Sequence, residues 1–281
     1  ISLALVPADA GVQLRTNPLA GLTGNITLRN ATISGVADFD ADASGQFSVD
    51  NVSAGRDILV RAIGNVGFNT TGSTAGRNFS VSGASIFGAN FKATTGFISA
   101  IAGNRVVISG GASAGSYILA TGRSAEIDLA TAGTGDITVT ATAGEAILKT
   151  ATAAGNITLT ATGGQAKLWG SVTAGGHLSV TGDGVHVSGV PGRDVGPTWV
   201  QRATGSVTYD GRAGDIFLEG TIQSNSDGIG DEALTVQTSG ALTLPRCASP
   251  GAVSAFRSPS GGWPTSTSPR PTVRNGSWPC C

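Results

Sequence analysis

Absences narrow the class of this chain before any motif is considered. There is no methionine, cysteine does not occur in the first 246 residues, aromatic residues make up 5% and charged residues 12% of the sequence. Such a chain has neither the large-residue core of a typical enzyme nor the charge density of a disordered segment. Seventeen basic and eighteen acidic side chains leave a formal net charge of −1, so no basic patch supports contact with nucleic acid or an anionic membrane. No run of eighteen apolar residues occurs, which argues against a transmembrane helix and against membrane insertion. The chain opens at Ile1 without a charged and then apolar leader, so an export signal is expected to lie outside this sequence.

Glycine, small residues and β-branched residues fill the space, with 43 glycines among 281 residues. Apolar and polar positions alternate with period two, and Gly, Ser, Asn and Asp interrupt that pattern every eight to twelve residues. Both features favour an all-β protein. A β-sandwich of this length would be ordinary, but it has no need of a fixed spacing, and this chain has one. Ile58, Phe79, Ile98, Ile118, Ile137, Ile157 and Leu178 follow one another at steps of 19 to 21 residues. A second series runs Ile26, Phe47, Phe68, Phe87, Val107, Ile127, Ala146, Ala166, Val187 and Val207 at similar steps. Repetition at this period predicts a solenoid with at least two strands in each coil.

Alternation along a strand sends Ile137, Val139 and Ala141 to one face and Thr138, Thr140 and Thr142 to the other. Stacked coils then place Ile137 beneath Ile157 and Leu178, forming a shared core that no single repeat builds alone. The expected fold is a right-handed parallel β-helix with about 20 residues per coil. Its open ends are unpaired strand edges, as expected of a piece of a longer array.

Three segments divide the chain. Residues 1–22 form an irregular edge containing Pro7 and Pro18, residues 23–244 carry the repeats, and residues 245–281 form a tail. Pro191 and Pro197 interrupt the repeats and predict a protruding loop over 189–203, and a second loop is predicted over 224–232. The tail holds seven of the eleven prolines, all three cysteines (Cys247, Cys280 and Cys281) and no Lys, Asp or Glu. It reads either as a Pro/Ser-rich linker or as the translation of a shifted frame, and in both cases little order is expected.

The units Gly55-Arg-Asp-Ile-Leu-Val, Gly76-Arg-Asn-Phe-Ser-Val, Gly135-Asp-Ile-Thr-Val-Thr-Ala and Gly155-Asn-Ile-Thr-Leu-Thr-Ala resemble those of the filamentous haemagglutinin family. These are large exoproteins exported by two-partner secretion. The resemblance covers roughly residues 23–244. It implies a β-helical shaft, secreted or held at a bacterial cell surface, that serves adhesion, biofilm formation or contact-dependent interaction. The implied partners are a host or bacterial surface glycan or protein and, during export, an outer-membrane transporter. It does not imply catalysis, and neither an enzyme nor a cofactor is expected.

Candidate chemistry is sparse. Asp38, Asp40 and Asp42 have the i, i+2, i+4 spacing of hard oxygen ligands, as at the start of a calcium loop, and are the weak metal candidates of this chain. The sixth loop position is not Gly and the twelfth is Val49, so solvated acids on a strand face are the plainer reading. Asp227, Asp231 and Glu232 form a second acidic stretch of the same kind. His177 and His186, the only histidines, bracket Asp183 without a third histidine or cysteine for zinc. Lys149 and Trp169 lie a coil apart and are expected to form a cation–π contact. The sequons at Asn25, Asn69 and Asn156 follow from Asn at corners and Thr on the wet face.

Two rival functions remain. A polysaccharide-active β-helix enzyme needs a focused cluster of acids or bases in a groove, and the acids here scatter. An ice-binding face needs long paired hydroxyl columns, and the Thr138/Thr140 and Thr158/Thr160 pairs are expected to extend over two or three coils at most.

Overall fold

The computed structural model describes residues 3–6, 11–16, 24–33, 35–69, 72–189, 199–224 and 234–244. Among these residues every strand pairing is parallel and no helix occurs. Each coil contributes three strand segments, one more than the minimum expected from the sequence. In the middle of the array they are Ile137–Ala141, followed by the two halves of Ala146–Ala153, and then Ile157–Ala161 starts the next coil.

The first face follows the leading sequence series, and every predicted step is a pairing in the structure. Its inward column comprises Val12, Phe39, Ile58, Phe79, Ile98, Ile118, Ile137, Ile157, Leu178, Val207 and Leu234. Ten intervals of roughly 4.8 Å give a shaft about 48 Å long. Ile98, Ile137, Ile157 and Leu178 are wholly buried, while Thr138 and Thr158 between them remain partly open to solvent.

The second series proves to merge two inward columns with an outward one. One column runs Ile26, Phe47, Val66, Ile86, Val106, Ala125, Ala146, Ala166, Val185, Ile216 and Leu242. Its neighbour, two residues on, runs Leu28, Val49, Phe68, Gly88, Ile108, Ile127, Leu148, Leu168, Val187 and Leu218. Phe87 and Val107 pair with each other on the outward side, where Phe87 is 43% exposed, and Val207 belongs to the first face.

One of the two inward columns of the third face is nearly all alanine. Ile33, Ala54, Ala75, Ala93, Ala114, Ala132, Ala153, Ala174 and Ala203 stack in one buried column, just before the chain turns back to the first face. A small side chain here allows the two sheets to converge at the corner. Glycine then permits close passage of one coil over the next: a Cβ on Gly55 would lie 1.4 Å from the Gly35 carbonyl oxygen.

Aromatic residues fill the interior at one end. Phe79 and Phe91 stack with centroids 4.5 Å apart, and Phe68 meets Phe91 edge-on at 5.0 Å. Gly88 makes room for this cluster, since a Cβ there would approach the Phe91 ring to 2.3 Å. Toward the other end Tyr209 takes a place in a column of Val139, Leu159 and Val180. It is fully buried, and no described protein atom pairs with its hydroxyl.

Three steps of the first column exceed the usual period: Val12 to Phe39, Leu178 to Val207, and Val207 to Leu234. The last two steps span the 189–203 and 224–232 segments of the sequence. Within the predicted 189–203 loop, Val200–Ala203 is instead a strand paired on both sides with Val172–Ala174 and Thr221–Gln223. Gln201 enters the core there, its Nε2 donating to the Gly170 carbonyl at 2.7 Å, and that polar inward residue disguised the strand. Residues 190–198, most of the predicted 224–232 loop, the acidic stretch Asp227, Asp231 and Glu232, and the 245–281 tail lie outside the described residues.

Candidate functional site

The residue immediately before each first-face strand from Phe39 to Val207 occupies a corner, and these residues stack as their strands do. In order they are Asp38, Asp57, Asn78, Phe97, Tyr117, Asp136, Asn156, His177 and Ser206. The short Asp and Asn side chains complete the backbone ladder. Asp38 Oδ1 accepts the Asp57 N–H at 3.1 Å, Asp57 Oδ1 the Asn78 N–H at 3.1 Å, and Asn78 Oδ1 the Phe97 N–H at 3.3 Å. Beyond the aromatic interruption, Asp136 Oδ1 accepts the Asn156 N–H at 2.6 Å and Asn156 Oδ1 the His177 N–H at 2.8 Å. His177 Nδ1 accepts the Ser206 N–H at 3.0 Å.

Arginines clamp this ladder at one end. Arg56 grips Asp38 through both Nε, at 2.7 Å, and a terminal nitrogen, and Arg77 grips Asp57 in the same way, with Nε at 2.8 Å. The Arg56 hydrogen bond holds the Asp38 carboxyl below its ordinary pKa although burial opposes it, and Arg77 does the same for Asp57.

The three metal candidates therefore divide between two places. Asp38 lies on the corner, whereas Asp40 and Asp42 project from the strand Phe39–Ala43. Arg61 approaches Asp40 at 3.0 Å and Asp42 at 3.9 Å, and Arg15 lies 3.9 Å from Asp40. A cation at these carboxylates would have to displace guanidinium groups. Among the described residues no three His, Cys, Asp or Glu side chains gather as metal ligands.

His177 and His186 occupy different sides of the coil. His186 lies on the second face, stacked on Phe217 at 4.8 Å with Nε2 3.1 Å from the Ser188 hydroxyl oxygen. Burial pushes its pKa below the ordinary value, the Lys167 charge adds to this, and Glu219 opposes it. The expected Lys149–Trp169 contact is replaced by another. Lys149 binds Glu126 at 3.1 Å and Asp128 at 2.5 Å, while Lys167 sits 5.7 Å from the Trp169 ring centre. Two neighbouring carboxylates hold an ammonium more strongly than an exposed indole face does.

Hydroxyl pairs occupy three successive coils of the first face: Thr138/Thr140, Thr158/Thr160 and Ser179/Thr181. Leu119/Thr121 precede them and Thr208/Asp210 follow, so the regular array stops within the expected length.

Phe97 and Tyr117 stand out on the corner. Their rings stack with centroids 5.0 Å apart and planes 11° apart, and Tyr117 is 40% exposed. Beside Tyr117 opens a groove of about 320 Å³ lined by Tyr117, Leu119, Gly135, Asp136 and Thr138. The sequence reading missed this site, although the aligned Gly55-Arg-Asp and Gly76-Arg-Asn tripeptides marked the corner that contains it.

Comparison of the chain with protein-family models, with curated proteins and with solved structures finds no match.

Proposed function

We propose that this chain is a structural and adhesive shaft: the β-helical repeat region of a secreted or cell-surface bacterial exoprotein of the haemagglutinin-like kind. The observation that carries the reading is the unbroken first-face column, Val12 to Leu234, which keeps its register through three lengthened steps. A solenoid of this kind displays loops and stacked surface columns along a rod, and its repeated exterior offers long contact surfaces rather than one pocket. The units from Gly55 to Ala161 that resemble those exoproteins lie within the regular part of the rod. In this reading the partners are a surface glycan or protein, and an outer-membrane transporter exports the full-length protein.

A role without catalysis fits the exterior charges. Asp38, Asp40, Asp57, Glu126, Asp128 and Glu145 each face a basic side chain, which ties them up as ion pairs instead of leaving two free carboxylates across a groove. The test is binding of the purified, fluorescently labelled chain to bacterial and epithelial cells and to a glycan array. Saturable binding supports adhesion. Release of unsaturated uronates from a polysaccharide panel would replace this reading with the enzymatic one, and thermal hysteresis would replace it with ice binding.

A further inference from the structure

The corner ladder contains its own template for a ligand. At Asp38 and at Asp57 the carboxylate does two things: Oδ1 accepts the N–H of the corner residue one coil on, and the whole group receives a forked guanidinium from the residue just before that one, Arg56 or Arg77. Asp136 repeats the first half of this arrangement, accepting the Asn156 N–H at 2.6 Å. The second half is missing, because glycine stands at 155 where Arg56 and Arg77 stand in the equivalent coils. Among the described residues no cation forms an ion pair with Asp136.

One coil below Asp136 lies Tyr117. One face of its ring is covered by Phe97, so the other face turns toward the coil of Asp136, where Gly135 and Thr138 leave the groove open. A carboxylate beside an aromatic face suits a planar, delocalised cation: the fork bonds to the acid while the plane lies over the ring. An ammonium group offers a point charge and no plane. We propose that the groove at Tyr117 and Asp136 receives a guanidinium group, an arginine side chain presented by a partner protein, which pairs the carboxylate as Arg56 and Arg77 pair Asp38 and Asp57 from within the chain.

This inference goes beyond the adhesive reading and does not depend on it, since a shaft can bind cells through other surfaces. It is tested by titrating isotope-labelled protein with acetyl-arginine amide and following amide resonances, with acetyl-lysine amide and methyl glucoside as parallel probes. The expected result is shifts centred on Tyr117, Asp136, Gly155 and Thr138, with lysine roughly fivefold weaker and no response to the glucoside.

Asp136→Asn keeps the Oδ1 acceptor that Asn78 and Asn156 supply at the same corner, so it retains the ladder and should lose the arginine response. Gly155→Arg should also abolish the response, by restoring an internal arginine. A Cβ at 155 meets Asp136 Oδ1 at 2.2 Å, so that side chain must shift, and Tyr117→Leu serves as an independent variant if Gly155→Arg does not fold. Equal response to lysine, shifts scattered over the surface, an undiminished response in Asp136→Asn, binding of the glucoside in preference to arginine, or no response at all would each overturn the proposal.

Discussion

Replacing Ile157 by alanine tests the stacking of coils more directly than any other single change. Ile157 is wholly buried between Ile137 on one coil and Leu178 on the next, so both neighbours hold it in place and little can collapse into the space it vacates. The lost transfer energy and the remaining cavity together should cost about 3 to 4 kcal/mol, within the range for buried Ile to Ala changes. Thr158, the next residue, points the other way and is partly exposed. Thr158→Ala should cost no more than about 1 kcal/mol, mainly through lost β propensity. The assay is urea unfolding followed by far-ultraviolet circular dichroism, comparing midpoints at a common slope. A larger loss for Thr158→Ala than for Ile157→Ala would invert the inside and outside of this strand and refute the stacking argument.

Tyr209→Phe removes a buried hydroxyl that has no described partner, and should stabilise the protein by about 1 kcal/mol in the same assay. His186 has a folded-state pKa below the usual 6.5, so protonation favours the unfolded chain. Its contribution is present above that usual pKa and is lost as pH falls through it, and the loss levels off below the lowered folded value. The wild-type urea midpoint should therefore drop between pH 7 and pH 5 by more than that of His186→Gln, and identical pH profiles would remove the claim. Gly55→Ala forces a Cβ onto the Gly35 carbonyl and should cost at least about 2 kcal/mol. Gly67→Ala, whose Cβ meets nothing closer than Asn69 Oδ1 at 3.4 Å, should be close to neutral in a thermal melt.

The first column was legible because its members, from Ile58 to Leu178, are all large and apolar and keep one period. The second face was harder to read. Its inward positions include Gly88, Ala125, Ala146 and Ala166, while the outward side carries Phe87, so hydrophobicity did not separate inside from outside. The alanine column of the third face is invisible to any search for large apolar residues. The strand Val200–Ala203 was hidden for a related reason, since its inward residue is Gln201, whose Nε2 donates to a carbonyl that only the folded coil supplies. At the corner, Asp38 drew attention as a metal candidate, but its partner Arg56 lies eighteen residues away. The unpaired carboxylate beside Tyr117 depends on a residue that is missing, the arginine absent at 155, and such a gap shows only after the coils are aligned.

The direction of the hydrogen bonds has a mechanical consequence. Because the pairing is parallel and runs from coil to coil, a pull along the shaft strains the bonds of the terminal coil in tension, a few at a time, instead of shearing a whole sheet. The rod should yield by peeling, and each freed coil of about 20 residues would pay out roughly 60 Å of chain. A shaft fixed at one end and gripped at the other would then lengthen in a staircase under load, giving slack before the grip fails, and a force-extension trace without steps of that size would contradict this.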